Sequence, residues 1–422
     1  MGAGAIGWLR QASPAERLTL LAGGLGWLLD AFDVMLYSMV LAELTAHFGM
    51  EKDTAGLLGS LTLLASALGG FLFGFIADRI GRRGALMASI LVYSLASGAC
   101  GLAQSIFELG LFRFLLGLGM GGEWTTGATL VAETWRAEHR GKALALMQSS
   151  WAIGEGLAAL VAGALLGLGT LHVLGMELPA WRAVFFAGVL PALAVLWVRR
   201  RVPESELWQR HRQSGDRAVH VPLALVWQPG LRGKVTIATL MNSAAMIGYW
   251  GLFFWIPPFL ALDVAEGGRG LTVTQTTLWL VVMGVGKWFG YTLFGYGADA
   301  FGRLRTYIAY LLVAAVLVPV FASLTSPTAL LLLGPLVAFF GTGYFSGYGA
   351  IASEMLPTEI RGSVMGASYN LGRGVSAAAP FVIGALAVKY GLSAAFWLTS
   401  AAFLVAALLA CLLPETKGTE LK

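Results

Sequence analysis

A helix needs roughly 20 consecutive, mostly apolar residues to cross the hydrocarbon core of a bilayer. The chain offers twelve such stretches, at 18–42, 54–77, 84–104, 107–132, 141–168, 181–199, 234–261, 273–298, 304–324, 328–352, 362–388 and 391–413. Ser13-Pro14 has the form of an N-cap followed by a first-turn proline, so a short amphipathic helix is expected to lead into the first span. The longest polar stretch, about 199–228, contains ESELWQRHRQSGDR and falls midway along the chain. The pattern predicts an all-α membrane protein of twelve transmembrane helices. Its expected organisation is an N-terminal six-helix bundle over 1–199, a partly helical cytoplasmic linker over 200–230 and a C-terminal six-helix bundle over 231–422.

Composition agrees with a lipid solvent. Hydrophobic residues make up 57% of the chain and charged ones 12%, with a mean hydropathy of +0.74. A soluble protein of 422 residues needs far more polar surface. The 56 glycines suit close helix contacts within lipid. Cys100 and Cys411 lie apart in apolar stretches, so neither a disulfide framework nor a metal site is expected. Arg10 and Arg17 flank a short polar segment before the first span, and no cleavable signal is read there.

Charge sets the orientation. With both termini in the cytoplasm, Arg79, Arg82, Arg83, Arg136, Arg140, Lys142 and Arg199 to Arg201 fall inside, leaving Lys52, Arg182, Arg269 and Lys389 outside. Cytoplasmic loops carry such an excess, and an even number of spans agrees. A multi-pass inner-membrane protein with both ends cytoplasmic is expected.

The chain also repeats itself. Gly74-Phe-Ile-Ala-Asp78-Arg79-Ile-Gly81-Arg82-Arg83 returns as Gly295-Tyr-Gly-Ala-Asp299-Ala300-Phe-Gly302-Arg303, an offset of 221 positions. Glu133 to Arg140-Gly141 returns as Glu354 to Arg361-Gly362 at the same offset. Pro203-Glu204-Ser205 is echoed by Pro414-Glu415-Thr416 at the end of the second half. Parallel halves of this kind are a signature of secondary transporters. GFIADRIGRR resembles the loop motif of the major facilitator superfamily, which implies two pseudo-symmetric six-helix bundles (the major facilitator fold). LLDAFDVMLYS, RFLLGLGMGGEW, VAETWRAEHRGKA and the arginine in YNLGRGVSAAAP resemble the acid:proton symporters of that superfamily. The sialate, lactate/pyruvate and aromatic-acid groups are its nearest parts. The chain lacks the extra spans that sialate carriers place between their halves, which counts against sialate itself.

A charged side chain near mid-bilayer costs about 2.5–3.5 kcal/mol on insertion scales, so it usually faces a cavity or a partner. Asp30 and Asp33 share one face of the first span, with Tyr37 on the same side. Two carboxyls so close resist joint ionisation, as a proton-coupling site requires; the structural alternative is an ion pair or a helix-orienting polar patch. The resemblance favours Asp33 as the proton carrier and Arg113 as its partner. Glu155, with Trp151 and Gln148 on its face, reads equally as a second proton carrier or a buried hydrogen-bonded acid, while Glu123 sits among glycines as packing. Lys287 and Arg373 lie too deep to reach the interface and suit an anionic substrate, with Arg supplying a planar fork for carboxylate. Pairing with Glu155 or another acid is the structural alternative for both. Asn242, Tyr249, Tyr344, Tyr348, Tyr369 and Asn370 complete the expected substrate wall, although aromatic residues also fill helix interfaces. By resemblance, Asp78, Arg79, Arg82, Arg83, Glu133 and Arg140 tie the two halves at the cytoplasmic mouth in the outward-open state, with Asp299, Arg303, Glu354 and Arg361 as their counterparts. For Arg82 and Arg83 the plainer reading is topology-setting charge. Ala300, standing where the first half has Arg79, is expected to loosen the second latch.

These features predict proton-coupled uptake of a small organic anion, a monocarboxylate such as lactate or pyruvate, by a functional monomer in the bilayer. The alternatives are a proton-coupled carrier of a neutral solute such as a sugar, a drug:proton antiporter, and a nutrient sensor on a transporter scaffold. No enzyme constellation, phosphate-binding loop, cofactor site, metal site or nucleic-acid-binding feature is read from the chain.

Overall fold

The computed structural model describes residues 7–173, 176–206, 208–210, 228, 230–356 and 358–417, with the backbone alone described at 137–138, 172–173, 176, 353 and 358–363. Of the expected linker, residues 207, 211–227 and 229 lie outside the described residues.

Spans 1 to 5 are the helices Pro14–Met39, Lys52–Ile80, Arg82–Cys100, Ile106–Thr134 and Ala137–Leu166. Span 6 is Ala180–Ala187 continued by Ala192–Arg201, and span 7 is Leu231–Phe253 continued by Ile256–Ala261. Spans 8 and 9 are Val273–Phe301 and Arg303–Ser323. Span 10 joins Pro327–Gly343 to Phe345–Met355, span 11 joins Thr358–Ser376 to Ala378–Tyr390, and span 12 is Leu392–Ala410. Among the described residues, 11 of these are long and apolar enough to cross a membrane. Span 4 has the length, 29 residues, but Arg113, Glu123 and its threonines dilute its apolarity. The molecule is an all-α membrane protein with the two-bundle architecture.

Two local features differ from expectation. Ser13 does not precede a separate amphipathic helix; it caps span 1 itself, accepting from the Glu16 N–H while Glu16 Oε2 accepts from Ser13 N at 2.7 Å. This reciprocal box satisfies two end donors, so the span starts earlier than hydropathy indicates. The loop between spans 5 and 6 is not irregular: Thr170–Val173 pairs antiparallel with Met176–Pro179. Outside the lipid, backbone groups left free by the helix ends find partners across a short hairpin.

Prolines explain some of the broken spans. Pro191 is the last residue of the gap in span 6 and Pro257-Pro258 follow that in span 7, where missing N–H donors and ring clashes interrupt the helical ladder. Lipid-facing stripes carry large apolar side chains; on span 2, Leu57, Leu64, Leu68, Phe71 and Phe75 are exposed at helical spacing. Contacts between spans use small residues: a side chain at Gly121 of span 4 would lie 1.9 Å from the Ser66 carbonyl of span 2.

The same pairings recur in each half. Span 2 packs on span 4 as span 8 packs on span 10, span 1 on span 5 as span 7 on span 11, and span 3 on span 6 as span 9 on span 12. Between the halves, span 2 meets span 11 and span 5 meets span 8. Among the described residues, hydrogen bonds across this interface cluster at mid-span and on the side away from the termini. On that side the Phe381 N–H donates to Ser60 Oγ at 3.0 Å, Lys52 Nζ to the Glu266 carbonyl at 2.9 Å, and the Ser38 hydroxyl to the Phe254 carbonyl.

Candidate transport site

Arg373, 2% exposed, projects from span 11 across the interface, and its Nη1 donates to Ser66 Oγ of span 2 at 2.7 Å. Its guanidinium stands 5.3 Å from the Tyr369 ring and 5.9 Å from the Trp27 ring. Tyr369 in turn stacks on Trp124 of span 4, with centroids 4.3 Å apart and planes 8° from parallel. Asp30 of span 1 and Glu123 of span 4 are buried within electrostatic reach of Arg373. Their four carboxyl oxygens have no hydrogen-bond partner among the described residues. Unsatisfied buried carboxyls facing a cation need an occupant, a proton or the cation itself.

A narrow cavity of about 20 Å³, room for little more than a water molecule in this conformation, lies here, walled by Trp27, Trp151, Tyr249, Trp250, Tyr369 and Arg373. Its aromatic walls and few polar groups are those usual in small-molecule sites, drawn close together in this conformation.

Behind this wall Glu155 of span 5 and Lys287 of span 8 form an ion pair between the halves, both side chains less than a tenth exposed. The second carboxyl oxygen of Glu155 accepts from Trp151 Nε1 at 2.8 Å and from the Tyr249 hydroxyl at 2.7 Å. Lys287 Nζ sits 3.8 Å from the centroid of the Phe253 ring. Lys287 therefore meets a protein acid, the structural alternative weighed for it.

Asp33 points into the N-terminal half instead. Its Oδ1 accepts from the Ser97 hydroxyl of span 3 at 3.0 Å, and Oδ2 has no partner among the described residues. Arg113 is not joined to it in an ion pair. The guanidinium lies 4.1 Å over the Tyr37 ring, and its Nε and Nη1 donate to no described group. Tyr37 donates to the Ala55 carbonyl at 2.9 Å, which fixes the ring between the two.

Other expected wall residues are dispersed. The Tyr344 hydroxyl donates to the Ala245 carbonyl at 2.7 Å inside the C-terminal half. Tyr348 pairs with Ser368 at 2.5 Å beside a separate shallow hollow that includes Lys234 and Met355. Asn370 donates to the Gly366 carbonyl at 3.1 Å and abuts Gly70 of span 2. Asn242 lies one turn from the cavity residue Met246, its Oδ1 unpartnered among the described residues. Helical spacing alone did not mark Trp27, Trp250 or Tyr291 as wall residues, nor Ser66 and Ser97 as polar partners. Trp27 was within reach, standing three positions before Asp30 on the same face.

The loop motifs form matched networks, each inside its own half. Arg82 pairs with Asp78 at 2.6 Å and Glu133 at 3.0 Å; Arg303 pairs with Asp299 and with Glu354 at 3.4 Å. Glu204 accepts from the N–H groups of Arg82 at 2.9 Å and Arg83 at 3.2 Å. Glu415 accepts from those of Arg303 at 2.7 Å and Leu304 at 3.4 Å. The echoed Pro-Glu segments thus cap spans 3 and 9. Burial pushes the Glu415 carboxyl up, but the N–H groups of Lys417, Arg303, Arg305 and Leu304 outweigh it and hold it below the ordinary carboxylate value. Gly81 and Gly302 make room, with φ of 96° and 116° and no Cβ to strike Glu204 or Glu415. Arg83 also donates to the Val202 carbonyl at 3.1 Å, Arg79 lies on the Phe75 ring at 4.1 Å and Arg140 is exposed. The side chain of Arg361 is outside the described residues. The motif side chains described here bond within halves in this structure, each acid reached lying on an adjacent span of the same bundle; the tie between halves that the resemblance implies belongs to the outward-open state.

The family model of the Major Facilitator Superfamily matches residues 24–268 and 261–422. The chain is 35% identical to a probable 4-methylmuconolactone transporter of Cupriavidus pinatubonensis, over 98% of this chain and 94% of that one. It is 30% identical to a cis,cis-muconate transport protein of Acinetobacter baylyi, over 97% of this chain and 96% of that one. Among solved structures, the inward open xylose transporter XylE of E. coli superposes with a TM-score of 0.76 at 20% identity, covering 95% of this chain and 97% of that one. The last likeness concerns the fold. With twelve spans in two repeated halves, a cavity between them and relatives matched from end to end, the chain belongs to the Major Facilitator Superfamily and is a secondary transporter of a small organic solute, not an enzyme.

Proposed function

We propose that the protein carries a small, flat organic monoanion together with a proton, by alternating access, as a monomer with both termini in the cytoplasm. The observation that carries this reading is Arg373, a buried guanidinium on an aromatic-walled cavity opposite two unsatisfied carboxyls of the other half. A carboxylate matches its planar fork, and the Trp and Tyr rings suit an unsaturated or aromatic skeleton better than lactate or pyruvate. The methylmuconolactone relative supports a flat carboxylate, and the muconate relative shares the flat unsaturated skeleton while carrying a second carboxylate.

Asp33 is the proposed proton carrier. Protonation removes its charge from the Tyr37–Arg113 neighbourhood and lets the N-terminal half repack; Asp30 answers to Arg373 and the substrate. Acidic residues of Asp78–Arg82–Glu133 and Asp299–Arg303–Glu354 brace each half as it rocks. A monoanion moving with one proton is electroneutral, so the membrane potential, roughly 2.3 kcal/mol per charge per 100 mV, does not act on it. A pH unit then supplies about 1.4 kcal/mol, roughly tenfold accumulation.

The test is uptake into proteoliposomes with an imposed pH gradient, using benzoate, sorbate, lactate, pyruvate and xylose, for wild type and Asp33→Asn. Flat acids should accumulate in the wild type. The variant should keep exchange and lose gradient-driven accumulation. Undiminished accumulation by Asp33→Asn removes the coupling role, and uptake of xylose alone removes the anion reading.

A further inference from the structure

Lys287 is a second buried cation, just behind the cavity wall and already neutralised by Glu155. It joins the two halves at spans 5 and 8, the pseudo-symmetric counterpart of the span 2–span 11 contact that holds Arg373. It is also continuous with the cavity: Trp151 and Tyr249, which bond Glu155, are wall residues. Tyr291, one turn from Lys287 on span 8, is another. Trp27 and Trp151, with ring centroids 4.6 Å apart, bridge the space between the Arg373 end and the Glu155 end.

Resting on the monoanion reading above, we infer that Lys287 is a second carboxylate subsite, masked by Glu155 until Glu155 takes up a proton. The substrate class then includes short conjugated diacids. One carboxylate takes the Arg373 fork. The other takes the place of the Glu155 carboxylate on the Lys287 ammonium. A proton from external water bonds to the freed Glu155 oxygen, and no bond within the substrate changes. On the inner side the proton leaves to water as the ion pair re-forms and expels the diacid. With Asp33 carrying the other proton, a dianion and two protons cross with no net charge. The groups facing Glu155 are Lys287 and Tyr291 from span 8, Tyr249 from span 7 and Trp151 from its own helix. Lys287 is the one cation among these, so it is the group whose charge the second carboxylate replaces. A protonated Glu155 keeps an oxygen able to accept from Trp151 and Tyr249, so the wall holds its shape through the exchange.

Muconate and sorbate share a six-carbon diene skeleton and differ by one carboxylate. In proteoliposomes of the wild type, muconate should accumulate about hundredfold per unit of pH gradient against about tenfold for sorbate, with neither opposed by an inside-negative potential. Lys287→Gln should lower the muconate-to-sorbate affinity ratio about tenfold. Glu155→Gln should make muconate uptake electrogenic, so that an inside-negative potential slows it, while sorbate uptake stays indifferent to potential. Should either single variant fold poorly, the double variant Glu155→Gln with Lys287→Met removes both charges together and should show the same loss of ratio. An unchanged ratio in the double variant, or wild-type muconate accumulating only tenfold per pH unit, overturns the second subsite. So does uptake of sorbate without muconate, which leaves the monoanion reading standing. Uptake of neither acid overturns both.

Discussion

Arg373 leaves its own half to donate to Ser66 in the other, so its charge sits where both bundles can feel it. A lysine at this position keeps the charge but gives up the planar fork and the ring contacts. Arg373→Lys should therefore weaken binding of a flat carboxylate about tenfold, or about 1.4 kcal/mol, and Arg373→Ala by more; substrate counterflow measures both. The aromatic walls make a separate forecast. Trp27 presents a ring to the cavity, so Trp27→Ala should weaken benzoate more than lactate, read from competition for sorbate uptake. Equal loss for the two acids would mean that the ring only packs. At this scale the sequence already singled out the buried charges, because an ionised group within an apolar run needs a cavity or a partner in lipid. It did not give their partners. Glu155 and Lys287 are separated by 132 positions, and helical periodicity orders side chains within one helix only.

Helix ends carry the clearest symmetry. Glu204 and Glu415 perform one task at the starts of spans 3 and 9, gathering backbone N–H groups that the helices leave unpaired. Glu415→Gln should lower stability by roughly 0.5–2 kcal/mol, the usual worth of a cap, seen as a lower unfolding midpoint in detergent. The sign with pH follows from its lowered carboxyl value. The cap contributes fully above the ordinary carboxylate range and is lost as pH falls through the folded-state value, so wild type and variant should converge on acidification. Gly302→Ala adds strain at φ 116° and a clash with Glu415, and should destabilise even at low pH. The repeated motif was visible in the sequence as spacing. Its mechanical meaning was not, because the capping Glu lies at the far end of each half from the loop that it caps.

Across the whole molecule, the hydrogen bonds between the halves among the described residues lie on the side away from the termini and at mid-span. Ser60 and Phe381 meet there, side chain to backbone, across the interface. Replacing both, Ser60→Cys with Phe381→Cys, and bridging them with a short bifunctional reagent should stop uptake, with reductive cleavage of the bridge restoring it. Full cross-linking without loss of uptake would show that this contact need not open during transport.

By itself the sequence determined the spans, the twofold repeat, the expected sidedness and the short list of buried charges. Each follows from the cost of placing polar groups or free backbone in hydrocarbon, a cost counted along one helix at a time. Only the tertiary structure decided which charges meet: Lys287 on Glu155, Arg373 on Ser66 near Asp30 and Glu123, and Arg113 over Tyr37 instead of Asp33. Those outcomes depend on how each helix is rotated and tilted against its neighbours. Lipid exerts little preference there, and close contacts at small residues such as Gly121 set the answer.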